Sequence, residues 1–351
     1  MNYNDYRDEA VELLKQLIST PSISRDEEAA ATVFAHFIEE KGLKYERIKN
    51  NIIVSGRADS TKPTLLLNAH IDTVKPVSSY TRDPYTPQVE DGRLYGLGSN
   101  DCGGGLVSLL QAFRILSKKD TPYNIIYVAS AEEEVSGRDG IELVLPRLPH
   151  IDVAIVGEPT GMQPATAEKG LMVVDATAHG RSGHAARNEG LNAIYEAMDD
   201  IAWLRSYRFE RESELLGAVK TTVTVINAGT QHNVIPDECR FTIDIRTNEC
   251  YTNEEVFSIL DAQMKSELRA RSFRLSSSHI DANHPLVQRC RAMGMQPFGS
   301  PTLSDQALMP FPSLKLGPGQ SARSHSADEY IEIDEIGQAI STYVKLISIE
   351  N

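Results

Sequence analysis

The sequence predicts an α/β chain: a mixed, largely parallel sheet flanked by helices, interrupted by a smaller α+β insert. Short apolar runs at 52–55, 64–69, 123–129 and 152–156 alternate with helical patterns, which argues for parallel strands covered on both faces. From about residue 171 the texture changes to β-α-β-β-α-β, an order complete in itself. The α/β pattern then resumes, with a helix at 285–294 and a strand near 313–316. Residues 1–169 and 280–351 are therefore expected to form one discontinuous domain, and 170–279 an inserted one.

Residues 5–19 place Val11, Leu13, Leu14, Leu17 and Ile18 at helical spacing, ahead of Pro21. Ser24-Arg25-Asp26-Glu27 reads as a capping box opening a helix that stops at Gly42. His36, between Phe34 and Phe37 in that helix, reads as structural. Leu65-Leu66-Leu67-Asn68-Ala69 is a strand short and apolar enough to be buried on both faces. It ends in His70-Ile71-Asp72, and residues two apart in an extended segment point the same way. An imidazole and a carboxylate are thus aimed together from a strand end.

Residues 91–98 are turn-rich, and Asp101 stands at the entrance to a helix carrying Leu106, Leu109, Leu110 and Phe113. The strand 123–129 leads to Glu132-Glu133-Glu134, and the strand 152–156 leads to Gly157-Glu158-Pro159-Thr160. In the insert, a strand at 171–179, a helix at 190–206, strands at 220–227 and 239–246, a helix at 253–270 and a strand at 273–279 give the ferredoxin-like arrangement.

The 351 residues are 41% hydrophobic and 24% charged, the composition of a soluble globular chain of one large or two moderate domains. Lys plus Arg is 35 and Asp plus Glu is 49, a net charge of −14. Phosphates would be repelled, so neither a nucleic-acid nor an anionic-membrane partner is expected. No apolar run approaches the ~18 residues of a membrane helix. Met1-Asn2-Tyr3-Asn4-Asp5-Tyr6 lacks a secretory pattern. Cys102, Cys239, Cys250 and Cys290 form no C-x-x-C and read as reduced thiols of a cytoplasmic protein.

The acidic and imidazole groups at the ends of the first domain's segments are His70, Asp72, Asp101, Glu133, Glu134, Glu158 and His325. Two imidazoles and three carboxylates would make a mixed nitrogen/oxygen site suited to Zn²⁺ or Co²⁺ more than to Mg²⁺. A carboxylate shared by two ions would hold them ~3.5–4 Å apart. Arg246 shares a strand face with Asp244. It is either a surface ion pair or a guanidinium fork for a substrate α-carboxylate. Gly317 and Gly319 would let backbone N–H groups approach that carboxylate.

These residues stand in seven ordered motifs. They are His70-Ile71-Asp72-Thr73-Val74, Gly98-Ser99-Asn100-Asp101-x-Gly-Gly, Ala131-Glu132-Glu133-Glu134-Val135, and Gly157-Glu158-Pro159-Thr160. Then come Gly180-Arg181-Ser182-Gly183-His184-Ala185, Asn233-Val234-Ile235-Pro236, and Gly317-Pro318-Gly319 ahead of Ser324-His325-x-x-x-Glu329-Tyr330. The series resembles the M20 family of metallopeptidases and deacylases over nearly the whole chain. The resemblance implies a zinc-exopeptidase-like catalytic domain and an inserted domain that forms a homodimer.

The resemblance further implies that His70 and Glu158 hold one metal, that Glu134 and His325 hold another, and that Asp101 bridges them. One or two Zn²⁺ ions are expected, with Co²⁺ able to substitute. Asp72 would accept a hydrogen bond from His70, and Glu133 would be the general base. A cis peptide is implied between Asp101 and Cys102. The Lys that the family commonly carries two residues after the bridging Asp is absent here, where Gly103 stands. His184, otherwise a loop histidine, would reach across the dimer as an oxyanion donor, and Asn233 would help bind substrate.

Aminopeptidase members of the family this chain resembles usually carry Asp where Glu158 stands, so the resemblance implies a deacylase or carboxypeptidase. The first expectation is hydrolysis of an N-acyl-ornithine, acetyl or succinyl, for arginine biosynthesis. Arg323 is a candidate partner for a second carboxylate, as on a succinyl group. The alternatives are desuccinylation of succinyl-diaminopimelate, a dipeptidase or carboxypeptidase, and, more remotely, a non-catalytic metal-binding scaffold.

Overall fold

The computed structural model describes residues 3–187 and 189–348. Met1, Asn2 and residues 349–351, the ends assigned above to the first domain, lie outside the described residues. The chain divides into two compact units. One comprises Met1–Thr166, Ile280–Phe298 and Ser304–Asn351; the other comprises Ala167–His279 and Gly299–Leu303.

In the first unit a sheet runs, in spatial order, through Glu46–Ile48, Asn51–Ser55, Asn124–Ser130, Thr64–His70, Val153–Val156 and Ser313–Lys315. The last four strands are parallel, and the first two add an antiparallel edge. The strand Thr64–His70 lies inside the sheet because both its faces are apolar. Leu65 and Leu67 join Leu14, Phe113 and Ile340 of the flanking helices Asn4–Ile18, Gly104–Leu116 and Ile333–Ile347. Leu66 points the other way, among Ile126, Val128, Ile141 and Val144. Each buried leucine stabilises the fold by about 2 kcal/mol.

The capping box expected at Ser24 does not form. Residues 22–24 are drawn to the end of the central strand by an Ile23–Thr73 bridge, with Thr73 N donating to Ser22 O at 2.9 Å. Ser24 Oγ therefore donates to Asp72 Oδ2 at 2.7 Å, and the helix begins at Glu28 without a side-chain cap. His36 is exposed on that helix. Residues 91–98 are more ordered than their turn residues suggest. Arg93–Tyr95 forms the middle of a small antiparallel sheet with Gln88–Glu90 and Tyr330–Glu332.

The second unit contains a four-stranded antiparallel sheet in the order Lys220–Ala228, Glu238–Arg246, Met172–His179 and Glu267–Ala270. Helices Ala193–Ser206 and Asn253–Gln263 complete the β-α-β-β-α-β order. Met172, Val174, Ala176, Phe241, Ile243 and Ile245 alternate into its core with Ala197, Val256 and Leu260. The helix expected over 253–270 stops at Gln263. The Asp200 carboxylate accepts from Lys265 N at 3.0 Å and Ser266 N at 2.8 Å, which turns the chain into the fourth strand at Glu267. Of the strand expected at 273–279, only Ser278–His279 forms.

All four cysteines are free thiols. Among the described residues no helix is long and apolar enough to cross a membrane.

Candidate metal centre

Parallel register gathers the candidate residues at one end of the first unit's sheet. His70 is level with Ser130, so Glu133 and Glu134 follow three and four residues beyond the neighbouring strand end. Asn68 is level with Val156, so Glu158 lies two residues past that one. Asp101 enters from the turn before the helix Gly104–Leu116, across a cis peptide to Cys102. That helix sits tight on the sheet because Gly105 has no Cβ, which would lie 1.7 Å from Gly157 O. His325 arrives on a loop in which it adopts a left-handed conformation, φ 55°.

His70 Nε2 lies 3.4 Å from Asp101 Oδ1, 3.7 Å from Glu158 Oε1 and 3.9 Å from Glu133 Oε2. His325 Nε2 lies 3.0 Å from Glu134 Oε2 and 3.5 Å from Asp101 Oδ2. Asp101 thus turns one oxygen to each imidazole. His70 is buried while His325 is half-exposed.

Asp72 meets His70 through its backbone as well as its carboxylate, and its carboxylate has further partners. The closest partner of His70 Nδ1 is the Asp72 backbone carbonyl at 2.8 Å, with the carboxylate at 3.5 Å. That carboxylate accepts from Glu133 N at 3.0 Å and Glu134 N at 3.1 Å, as well as from Ser24. It therefore fixes the backbone from which both glutamates project. Burial pushes Asp72 up, but His70, Ser24 and the Glu133 N–H outweigh it and hold the group below the usual carboxylate range.

Crowded carboxylates pull the other way. Burial raises Glu133 well above its ordinary value, reinforced by Glu158, Asp305 and Glu134 against the opposing pull of His70. Burial and the neighbouring Asp101 raise Glu158 to about 8. The hydrogen bond to Glu134 raises His325 to about 9. His70 Nε2 and Glu158 Oε1 are buried with no hydrogen-bond partner. Buried polar groups rarely stay unpaired, and buried like charges repel. Cations between these groups would resolve both problems: His70, Asp101 and Glu134 bring donor atoms close enough to share an ion, as do His70, Cys102 and Glu158, and the imidazole and carboxylates among them fit Zn²⁺-type ions.

Three buried carboxylates behind this centre were not assigned there from sequence. Asp305 accepts from Ser130 Oγ at 2.6 Å and lies 3.2 Å from the Asn68 amide nitrogen. Burial raises it to about 7 against the Ser130 hydrogen bond. Glu27, read above as part of a cap, accepts from Asn50 Nδ2 at 3.0 Å and Glu132 N at 3.3 Å. Glu329 accepts backbone N–H groups around Asp101.

Arg323, expected to meet a substrate carboxylate, is not a free guanidinium: it is paired with Glu335, as Arg246 is with Asp244. Its Nη1 donates to Glu335 Oε2 at 2.7 Å, and its guanidinium covers the Tyr330 ring at 4.5 Å. Nor does Gly317 offer its N–H, which donates to Thr160 Oγ1 at 3.1 Å. A Cβ on Gly317 would lie 2.3 Å from Glu158 O, so the residue is small to let two segments of the chain pass closely. Gly319, at φ +80°, is packed against Asn100 Oδ1 in the same way.

In the second unit, Arg246 forms a two-toothed pair with Asp244, Nε to Oδ1 at 2.9 Å and Nη2 to Oδ2 at 3.1 Å. His184 and Asn233 are exposed and lie on neighbouring segments, since Gly183–His184 pairs with Val234–Ile235. Asn233 O accepts from Ala185 N at 3.0 Å.

Comparison with known proteins gives the family and the fold. Residues 66–349 match the model of peptidase family M20/M25/M40. The acetylornithine deacetylase of Proteus mirabilis is 29% identical over 360 residues, 92% of either chain. Aminopeptidase PepT from Bacillus cereus has the same fold, with a TM-score of 0.77 at 18% identity over 97% of this chain and 98% of that one. So does the YXEP protein of Bacillus subtilis, described as a dinuclear metal binding peptidase, with a TM-score of 0.73 at 16% identity over 98% of each chain. The chain belongs to peptidase family M20/M25/M40 and is a metallohydrolase acting on amide bonds.

Proposed function

We propose that this protein hydrolyses the amide of an N-acyl-ornithine, releasing ornithine for arginine biosynthesis in the cytoplasm. The observation that carries the reaction is the split of the Asp101 carboxylate between His70 and His325, with Glu133 beside them. His70 and Glu158 would hold one ion, His325 and Glu134 the other, and Asp101 both. Zn²⁺ suits these donors, and Co²⁺ would substitute. Bound ions supply Lewis acidity, acidifying water and polarising the amide carbonyl. Glu133 takes the proton from the attacking water and returns it to the leaving amine nitrogen. Its burial keeps it basic enough to do so near neutral pH. Asp72 holds Glu133 and Glu134 in place through their N–H groups.

The ornithine substrate is supported by the relationship to acetylornithine deacetylase and by Glu at 158. Arg246 and Asn233 are proposed to bind the substrate's polar ends. The fork that Arg246 closes on Asp244 is the shape a carboxylate would take. A dipeptidase reading has its own support, since two of the solved relatives are named as dipeptidases. Amine release from N-acetylornithine, N-succinylornithine, N-succinyl-diaminopimelate and a dipeptide, assayed side by side with Zn²⁺- and Co²⁺-loaded protein, separates these. An ornithine compound is expected to be turned over at least tenfold faster than the others, as kcat/KM. Preference for the dipeptide or the diaminopimelate compound would overturn the substrate while keeping the chemistry.

The protein is further proposed to be a homodimer through the second unit. Lys220–Ala228 is an edge strand that exposes Val225 and Ile226, and the helix Ala193–Ser206 exposes Tyr195 and Met198. His184 would serve the partner's site as an oxyanion donor. Glu133→Ala and His184→Ala proteins, each inactive alone, are then expected to regain about a quarter of wild-type activity after subunit exchange. Half of the molecules would be mixed dimers with one intact site. No recovery in verified mixed dimers would refute sharing across the interface.

A further inference from the structure

The motif Ser324-His325-x-x-x-Glu329-Tyr330 supplies His325, but the proposed chemistry leaves Glu329 without a task. Glu329 is 2% exposed, and both of its oxygens face backbone. Oε1 accepts from Asn100 N and Asp101 N, each at 2.8 Å, and Oε2 accepts from Gly98 N at 3.0 Å. Its own carbonyl accepts from Gly96 N at 3.0 Å. The preceding residue, Asp328, accepts from Thr81 N at 2.9 Å and Arg82 N at 3.0 Å. The loop that presents His325 is thus pinned to the turn that presents Asp101.

We infer that Glu329 is a positioning residue for the metal centre. It fixes the Asp101 backbone so that one carboxylate oxygen meets His70 and the other meets His325 before any ion arrives. The inference rests on the two-ion reading above. Its physical basis is satisfaction of buried donors. A turn conformation that left any of these buried N–H groups without an acceptor would forfeit its hydrogen bond with no water to replace it. One carboxylate four residues from a ligand therefore selects the turn and sets the spacing between two ligands. A glutamine cannot replace it, because its amide offers one acceptor and one donor. Whichever way it lies, its NH₂ opposes at least one backbone N–H. An aspartate is shorter by one C–C bond, ~1.5 Å, and cannot reach all three donors.

The test compares wild-type and Glu329→Gln proteins by Zn²⁺ affinity, in competition with a chelator, and by the visible absorption of the Co²⁺-loaded protein. Both are read well below the melting temperature, with circular dichroism confirming the fold. The variant is expected to bind Zn²⁺ about 10–100-fold more weakly and to show an altered Co²⁺ spectrum. A merely structural Glu329 would lower the melting temperature and leave both readouts unchanged, which would overturn the inference. Should the variant not fold, hydrogen exchange on metal-free wild-type protein decides. The amides of Gly98, Asn100 and Asp101 are expected to be protected without metal, and fast exchange at all three would overturn the clamp. A wild-type protein that binds no divalent ion would instead sink the two-ion reading itself.

Discussion

Glu133→Ala lowers kcat by about 10²–10⁴-fold, the range expected when a general base is lost, and leaves the bound metal at wild-type stoichiometry. Among the described residues, Glu133 belongs to neither group of side chains whose donor atoms converge closely enough to share an ion. Its carboxylate lies 3.9 Å from His70 Nε2, farther than Asp101 at 3.4 Å or Glu158 at 3.7 Å. Its backbone N–H is tied to Asp72, so the side chain is held beside the centre. Burial and the carboxylates of Glu158, Asp305 and Glu134 raise its proton affinity. Bound cations would draw that affinity down again, leaving a carboxylate basic enough to take the proton of water and able to return it to the amine. Metal content of the purified variant and its steady-state rate check the prediction together. If the ions leave with the activity, Glu133 is a ligand and the base lies elsewhere.

How far the sequence foretold this centre depends on the range of the interactions. The strand Thr64–His70 was legible because three leucines in a row need burial on both faces, whatever they touch. Its terminal His70 and Asp72 were legible as groups at a strand end, since alternation is a local property. What Asp72 binds was not. Its hydrogen bonds reach Ser24, 48 residues away, and Glu133, 61 residues away, and no local spacing encodes either. The same long reach removed Ser24 from the cap its sequence suggested. In the second unit the helical pattern of 253–270 was read through the point where Asp200, far upstream, captures residues 265 and 266. The partner of Arg323, Glu335, lies in the next helix and no local spacing points to it. Periodicity thus marks the buried parallel strands and most of the helices, while the short strands at 93–95 and 267–270 escape it. The side chains that aim the site are placed by contacts made only after the sheet assembles.

Stripping the ions with a chelator abolishes turnover and also reverses how stability responds to pH. The metal-free centre holds Glu158 at about 8 against an ordinary 4.5, and Asp305 at about 7 against 3.8. In the unfolded chain both lose their protons near pH 4. Between pH 5 and 8 the folded metal-free protein therefore binds more protons than the unfolded one, and its stability falls as pH rises. His325 acts with the same sign. Held at about 9 against 6.5, it contributes stability that is complete below 6.5 and lost as pH passes 9. Asp72 and Asp101, both held low, contribute with the opposite sign, but only as pH falls below the ordinary carboxylate range. The metal-free protein should thus melt higher at pH 5.5 than at pH 8.5. Ions bound to the deprotonated ligands favour the high-pH form and release protons on entry, so the loaded protein should melt higher at pH 8.5. Thermal melts of both forms across this range check the crossover. Parallel curves for loaded and stripped protein would mean that these groups do not face a shared ion site.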